Sequence, residues 1–255
     1  RMIFDDARFI GNVGWRQNEQ TYDAARGSTS LGLDDLELTY GYIGYVRRIF
    51  GDQGSQRDWM SNSHIINLAY RGTPCIQPTA FIYLLDFENS MANSSATYGL
   101  RLTGKKDFNE NWNMGYGASY AYQTDFGDNP TSYGAHYVKL DASLGQSKLG
   151  GISAGWEMLG SDNGNARFVT PLATGHKFNG WADVFLNNGG NNGLRDVYVA
   201  VAPKLPWKLA TNLVYHHFMS DNGGITYGNE FDASLKRPIN KHLDLLFKSA
   251  YFKAD

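Results

Sequence analysis

The sequence predicts an all-β protein, an antiparallel transmembrane β-barrel. Three observations lead there: period-two alternation in segment after segment, connections that are short and long by turns, and no apolar run long enough for a membrane helix. The clearest alternation is NWNMGYGASYAYQT, residues 111–124. Trp112, Met114, Tyr116, Ala118, Tyr120 and Tyr122 hold one parity, with Gly, Ser, Asn, Ala and Gln between them. Strand side chains point alternately to opposite faces, so this segment has one aromatic, apolar face and one small, polar face. A sandwich strand also alternates, but aromatics near both ends of the apolar row suit a wall between lipid and water.

The chain has 255 residues and a formal charge of -2, which fits one barrel domain and gives no basic excess for nucleic acid. No stretch of eighteen apolar residues occurs, so a membrane crossing must be made by strands. One cysteine, Cys75, excludes an intrachain disulfide framework.

In chain order, residues 1–19 mix Phe, Ile and Trp with charge and read as a long loop, or secondarily as a strand. Roughly ten-residue strands follow, a length that spans a bilayer at a tilt. The first, 20–28, is poorly patterned. Residues 36–47 put Leu36, Leu38, Tyr40, Tyr42 and Val46 opposite Glu37, Thr39 and Arg47. Residues 64–71 oppose Ile66, Leu68 and Tyr70 to Asn67 and Arg71; 78–87 are apolar on both faces, their phase open. Residues 96–104 oppose Tyr98, Leu100 and Leu102 to Arg101 and Thr103. Beyond 111–124, strands are expected over 134–144, 150–159, 194–203, 207–219, 227–236 and 242–253. Their polar rows carry Lys139, Asp141, Glu157, Asp196, Lys208, Glu230, Asp232, Lys236, Asp244 and Lys248.

Links at 29–35, 72–77, 105–110, 145–149, 203–207 and 237–241 are short. Those around 48–63, 88–95, 125–133, 160–193 and 220–226 are mostly longer and rich in Gly, Asn, Asp and Ser. Barrels of outer membranes have short periplasmic turns and longer outside loops, so 160–193 is expected outside. By the same parity the first strand descends from outside and the last rises towards it. Further strands are therefore expected before Arg1 and after Asp255, making this chain part of a larger barrel.

Several segments resemble the alginate-export-like family of bacterial outer-membrane porins: DDARFIGNVGWRQNEQTYDA (5–24), LTYGYIGYVRRIFG (38–51), FIYLLDFENS with SSATYGLRLTG (81–104), VTPLATGHKFNGWADVFL (169–186), LRDVYVAV (194–201) and the closing LLFKSAYFKAD. The resemblance implies an outer-membrane location, a barrel of about eighteen strands and a solute or polysaccharide channel.

Function would rest on the polar row, because rings of lumen side chains set selectivity. The pore-lining candidates are Arg47, Arg71, Arg101, Lys139, Asp141, Glu157, Asp196, Lys208, Glu230, Asp232, Lys236, Asp244 and Lys248. Signs nearly balance, which favours passive passage of hydrophilic solutes over export of an anionic polysaccharide such as alginate; a sealed structural or adhesin barrel is the third reading. Pairing between neighbouring strands that merely keeps the wall wet is the plain alternative for each charge. Segment 1–19 is expected to fold inward, with Arg8 and Arg16 facing Asp5 and Asp6 across a constriction. The long link carries Phe178, Trp181, Ala182 and Phe185 at helical spacing, with Asn179 placed to cap, which predicts a short helix acting as a lid or plug; a loop packed on its neighbours' rim is the alternative. An enzyme is not indicated: His216 and His217 point to opposite faces, and no HExxH, CxxC, nucleophile or GK[ST] pattern is present. No cofactor or metal is expected; the partners are outer-membrane lipid and small hydrophilic solutes or anionic oligosaccharide.

Overall fold

A computed structural model describes residues 1–51, 53–54 and 56–255. The strands are β1 (Thr21–Thr29), β2 (Leu36–Arg47), β3 (Asp58–Tyr70), β4 (Gln77–Leu85), β5 (Ser95–Asp107), β6 (Trp112–Asp125), β7 (Gly134–Gln146), β8 (Gly150–Leu159), β9 (Ser161–Asp162), β10 (Ala166–Arg167), β11 (Leu194–Pro203), β12 (Ala210–Met219), β13 (Thr226–Asn240) and β14 (Leu243–Ala254). All but β9 and β10 form one antiparallel sheet in which each strand pairs with its successor in the chain. The two short strands pair with each other inside the 160–193 link. β1 and β14 are the edges of the sheet.

The two faces of this sheet differ in what covers them. On the outer face Tyr98 sits opposite Tyr122 and Leu100 opposite Tyr120. Those four, with Tyr40, Leu140, Ile152, Val197, Tyr215, Phe231, Leu245 and Phe247, are exposed. A water-soluble fold would bury such a row; a barrel wall turns it to hydrocarbon. The inner face is packed against residues 1–20 and 160–193, and all the largest fully buried side chains lie on that face or in those two segments, among them Ile43, Ile65, Tyr83, Tyr137, Leu159 and Phe218.

Four local features depart from the pattern read in the sequence. β3 starts at Asp58, six residues before the expected 64, because Ser61 and Asn62 blur an alternation that the register with β2 nevertheless continues (Val46 opposite Trp59). In β2 the register shifts across Gly44, a β-bulge that reverses the phase beyond it. Val46 is therefore buried inside and Arg47 lies outside, reversing both expectations. β12 starts at Ala210, since Trp207 and Lys208 take φ of 59° and 57°, outside strand geometry. The open phase of 78–87 resolves with Phe81, Tyr83 and Leu85 inward; that strand is apolar on both faces because its inner side is covered too.

Candidate functional site

Residues 1–20 are held inside by backbone turns and by the long link. Asp5, Ala7 and Val13 adopt positive φ (50°, 68° and 51°), which folds the segment too tightly for a strand. Ile10 makes an isolated parallel bridge to Leu172, and Gly11 N–H donates to Leu172 C=O at 2.9 Å. Thr174 N–H donates to Ala7 C=O at 3.0 Å, and the Gln20 amide bonds both Gly11 and Leu172 carbonyls. A Cβ at Gly11 would collide with Thr174 and Ala7, so only glycine permits this approach. The charged segment and the link are thereby one inner body.

The link contains no α-helix at 178–185. Asn179, Gly180 and Asp183 have φ of 54°, 86° and 60°, and these left-handed residues break the turn that the apolar spacing suggests. The three lid candidates serve three purposes instead. Phe185 is buried against Phe218, Tyr227 and Phe252. Phe178 lies beneath the cations of Arg8, Lys139 and Lys177 at 4.8, 5.2 and 5.5 Å. Trp181 faces the Lys248 ammonium at 4.0 Å.

The expected face-off of Arg8 and Arg16 with Asp5 and Asp6 does not form. Each of these charges pairs with the wall or the link. Arg8, only 2% exposed, donates Nε–H to Glu157 at 2.7 Å and Nη2–H to Asn179 at 2.9 Å. Tyr137 donates to the same Glu157 oxygen at 2.7 Å, and Asn179 Nδ2 donates to Glu157 at 2.6 Å and to Asp196 at 3.2 Å. Burial alone would favour loss of the Arg8 proton, but Glu157 more than offsets it and holds the guanidinium above its ordinary range. Asp6 meets Arg101 at 2.6 Å and Lys139 at 3.7 Å. Burial pushes its carboxyl up, yet those two cations together hold it below the usual carboxylate range. Asp5 reaches Arg71 only at 3.9 Å, and burial pushes it up. Arg16 donates to Asp183 at 2.9 Å; Asp183 also accepts from His176 Nδ1 at 2.8 Å, and His176 Nε2 accepts from Lys248 at 2.7 Å. This relay ties the first segment to the link and the link to β14.

Two cavities lie against the inner body among the described residues. One, of about 760 Å³, runs along β7, β8, β11 and β12. Lys139, Ser153, Asn212, Trp15, Tyr198 and Lys248 are among its lining. The other, of about 290 Å³, lies between the link and the chain after β2. Its charged lining is Arg8, Arg16, Arg48 and Arg167, with no carboxylate among the described residues. Arg48 stands over Trp59 at 3.7 Å and its Nε–H has no partner among the described residues; burial pulls its guanidinium down to about 10. Arg167 bonds Asn191 at 3.0 Å, and burial lowers it too.

Of the wall charges picked from the sequence, Arg71, Arg101, Lys139, Asp141, Glu157, Asp196, Glu230, Asp232, Lys236, Asp244 and Lys248 lie on the inner side. Lys236 pairs with Asp244 at 2.7 Å, and Asp141 lies 3.8 Å from Lys139. Arg47 is excluded by the Gly44 bulge: its side chain is 62% exposed and lies 3.6 Å from Asp23 on the outer side. Lys208 is excluded because it sits in the exposed β11–β12 turn. The sequence reading missed Arg48, Arg167, His176, Asp183 and Trp15, all off the twelve strands of the wall, where a strand-parity rule has nothing to count.

No family model and no curated protein matches the chain. Solved structures do. OpdK of Pseudomonas aeruginosa, determined with vanillate, aligns with a TM-score of 0.70 at 18% identity, over 98% of this chain and 66% of its own. OccK5 (OpdH) of the same organism gives 0.72 at 12% identity, covering 100% and 71%. The outer membrane protein OprD gives 0.70 at 13%, covering 100% and 68%. The chain thus has the fold of an outer-membrane β-barrel porin and spans about two thirds of the length of such channels. The alginate-export-like family itself finds no support in these matches; the resemblance holds at the level of a porin fold.

Proposed function

We infer that the protein is a bacterial outer-membrane channel through which small hydrophilic solutes pass by diffusion, driven only by their gradient. The observation that carries this reading is the split between the faces: an exposed greasy outer row, and an inner row of paired charges beside a solute-sized polar cavity. The inner-side charges from Arg71 to Lys248 would line the passage, the inner body would narrow it, and the end carrying 160–193 would face outside. Lipid contacts the outer row. The porin fold shared with OpdK, OccK5 and OprD supports the same reading. Most wall charges are already neutralised by a neighbour, which disfavours a dedicated polyuronate conduit lined by free cations.

A second reading, preference for small organic anions or an anionic oligosaccharide, is favoured by the cation-lined 290 Å³ cavity, where Arg48 and Arg167 lack ion-pair partners among the described residues. OpdK was solved with a carboxylate, vanillate. Currents through the purified protein in planar bilayers test both readings. Open-channel current with weak ion preference is expected; concentration-dependent block by vanillate or alginate oligomers, lost in Arg48→Ala/Arg167→Ala, would favour the second. Absence of any current would leave a sealed barrel.

A further inference from the structure

Where the link crosses β13 it is held by two carboxylates that no Lys or Arg among the described residues pairs with. Trp181 N–H donates to Asp232 at 3.0 Å and Ala182 N–H donates to Glu230 at 2.7 Å. Gly180 lies so close that a Cβ there would stand 2.6 Å from the Glu230 carboxyl. Both acids are essentially inaccessible, at 1% and 0% exposure, and each keeps one oxygen, Glu230 Oε2 and Asp232 Oδ1, without any hydrogen bond. Residues two apart on a strand point the same way, so the two carboxyls are neighbours on one face.

The surroundings bring charges of both signs, each already bonded elsewhere. From β12, His216 brings Nε2 to 3.8 Å of Asp232, but its Nδ1–H is committed to Asp196 of β11 at 2.9 Å. From β8, Glu157 is matched by Arg8 of the first segment. From β14, the Lys248 ammonium donates to His176 of the link, which is itself bonded to Asp183 and through it to Arg16. Two buried, adjacent carboxylates without a guanidinium or ammonium partner among the described residues repel each other, and a proton held between them relieves the repulsion.

The structure assigns Glu230 and Asp232 as a proton-holding clasp that fixes the 179–182 tip of the link against the wall and lets it go in acid. With one proton shared between them, the pair remains anionic, and its oxygens are strong acceptors for the two backbone N–H groups. A second proton makes the pair neutral, and hydrogen bonds to neutral acceptors are roughly half as strong. Only a proton is gained or lost; no bond between heavy atoms changes. Glycine at 180 lets the backbone reach the acids, and the left-handed turn through Asn179 and Gly180 aims the next two N–H groups at them.

In its consequence for transport the clasp rests on the channel reading above; in its mechanics it does not. Amide hydrogen exchange of the purified protein, corrected for the intrinsic rate at each pH, is therefore the first test. Protection of Trp181 and Ala182 is expected to fall at least about tenfold between about pH 7 and pH 4. In Glu230→Gln/Asp232→Asn, which keeps shape but cannot titrate, it is expected to be low and flat across that range, with the β5–β6 amides protected as in the parent as the check on folding. Protection that is unchanged in the variant, or that keeps the parent's pH response, overturns the clasp. Single-channel recording then separates the two ideas: larger current fluctuations in acid that the variant shows already at neutral pH extend the clasp to gating. A silent channel overturns the transport reading while the exchange data still decide the clasp.

Discussion

The interior has two sectors built on the same pleated wall and stabilised in opposite ways. Around Phe9 it is dry: Phe9 packs on Phe81, Tyr83, Tyr137 and Phe168 with ring centroids 5.1–6.1 Å apart, and Ile10 and Leu172 are fully buried, while the Asp6–Arg101–Lys139 cluster lies to one side of this patch. Under β8 and β11 to β14 it is polar: Glu157, Asp196, Glu230, Asp232 and Lys248 reach the link through hydrogen bonds, with His216 bonded behind Asp196. Greasy packing is non-directional and insensitive to salt or pH, whereas paired charges are directional and titrate. The inner body is thus anchored by its dry side, and the polar side, where the large cavity lies, is the one whose geometry can respond to solutes or protons.

The strongest break in this division comes at the boundary, where Arg8 carries charge into the dry sector. Arg8→Leu leaves Glu157 buried without its cation, and the inner body is expected to loosen by about 3–5 kcal/mol, read as lost exchange protection in 1–20 and 170–180. Adding Glu157→Gln should recover most of that loss; failure to recover would mean that the contact is not chiefly electrostatic. A purely dry perturbation comes next: Leu172→Ala removes a fully buried side chain and is expected to cost about 2–4 kcal/mol by the same readout, at all pH values alike. A pH-dependent loss there would blur the two sectors.

The smallest effect concerns Asp6. Because its folded-state pKa is depressed by Arg101 and Lys139 against burial, its contribution is present above the ordinary carboxylate range and is lost as pH falls through the lower folded value. Asp5 has the opposite sign: raised by burial, it works against folding near neutrality and is relieved as acid protonates it. Asp6→Asn is expected to cost about 1 kcal/mol near neutral pH, and to flatten the loss of protection of residues 1–20 in acid. A variant that loosens just as the parent does on acidification would place the titrating group elsewhere.

How far the site could be read in advance follows from where its parts lie. Arg101, Lys139, Glu157, Asp196 and Lys248 were legible because strand parity places them. Arg47 was misplaced because one bulged glycine inverts the count, and nothing in GYIGYVR marks which glycine is bulged. The helix expected over 178–185 failed because apolar spacing records which side chains are buried, while the backbone there follows the wall's hydrogen-bond acceptors. Arg48 and Arg167 carry no periodic signal at all.

By itself the sequence determined the wall: twelve alternating strands, their order and the greasy outer rows, since period two is a local property and consecutive antiparallel strands pair with their neighbours. Only the tertiary structure decided what fills the wall. Residues 1–20 and 160–193 choose partners that are not their neighbours in the chain, as Arg8 does with Glu157, 149 positions on, and such choices depend on shape, burial and leftover charge, which no periodicity encodes.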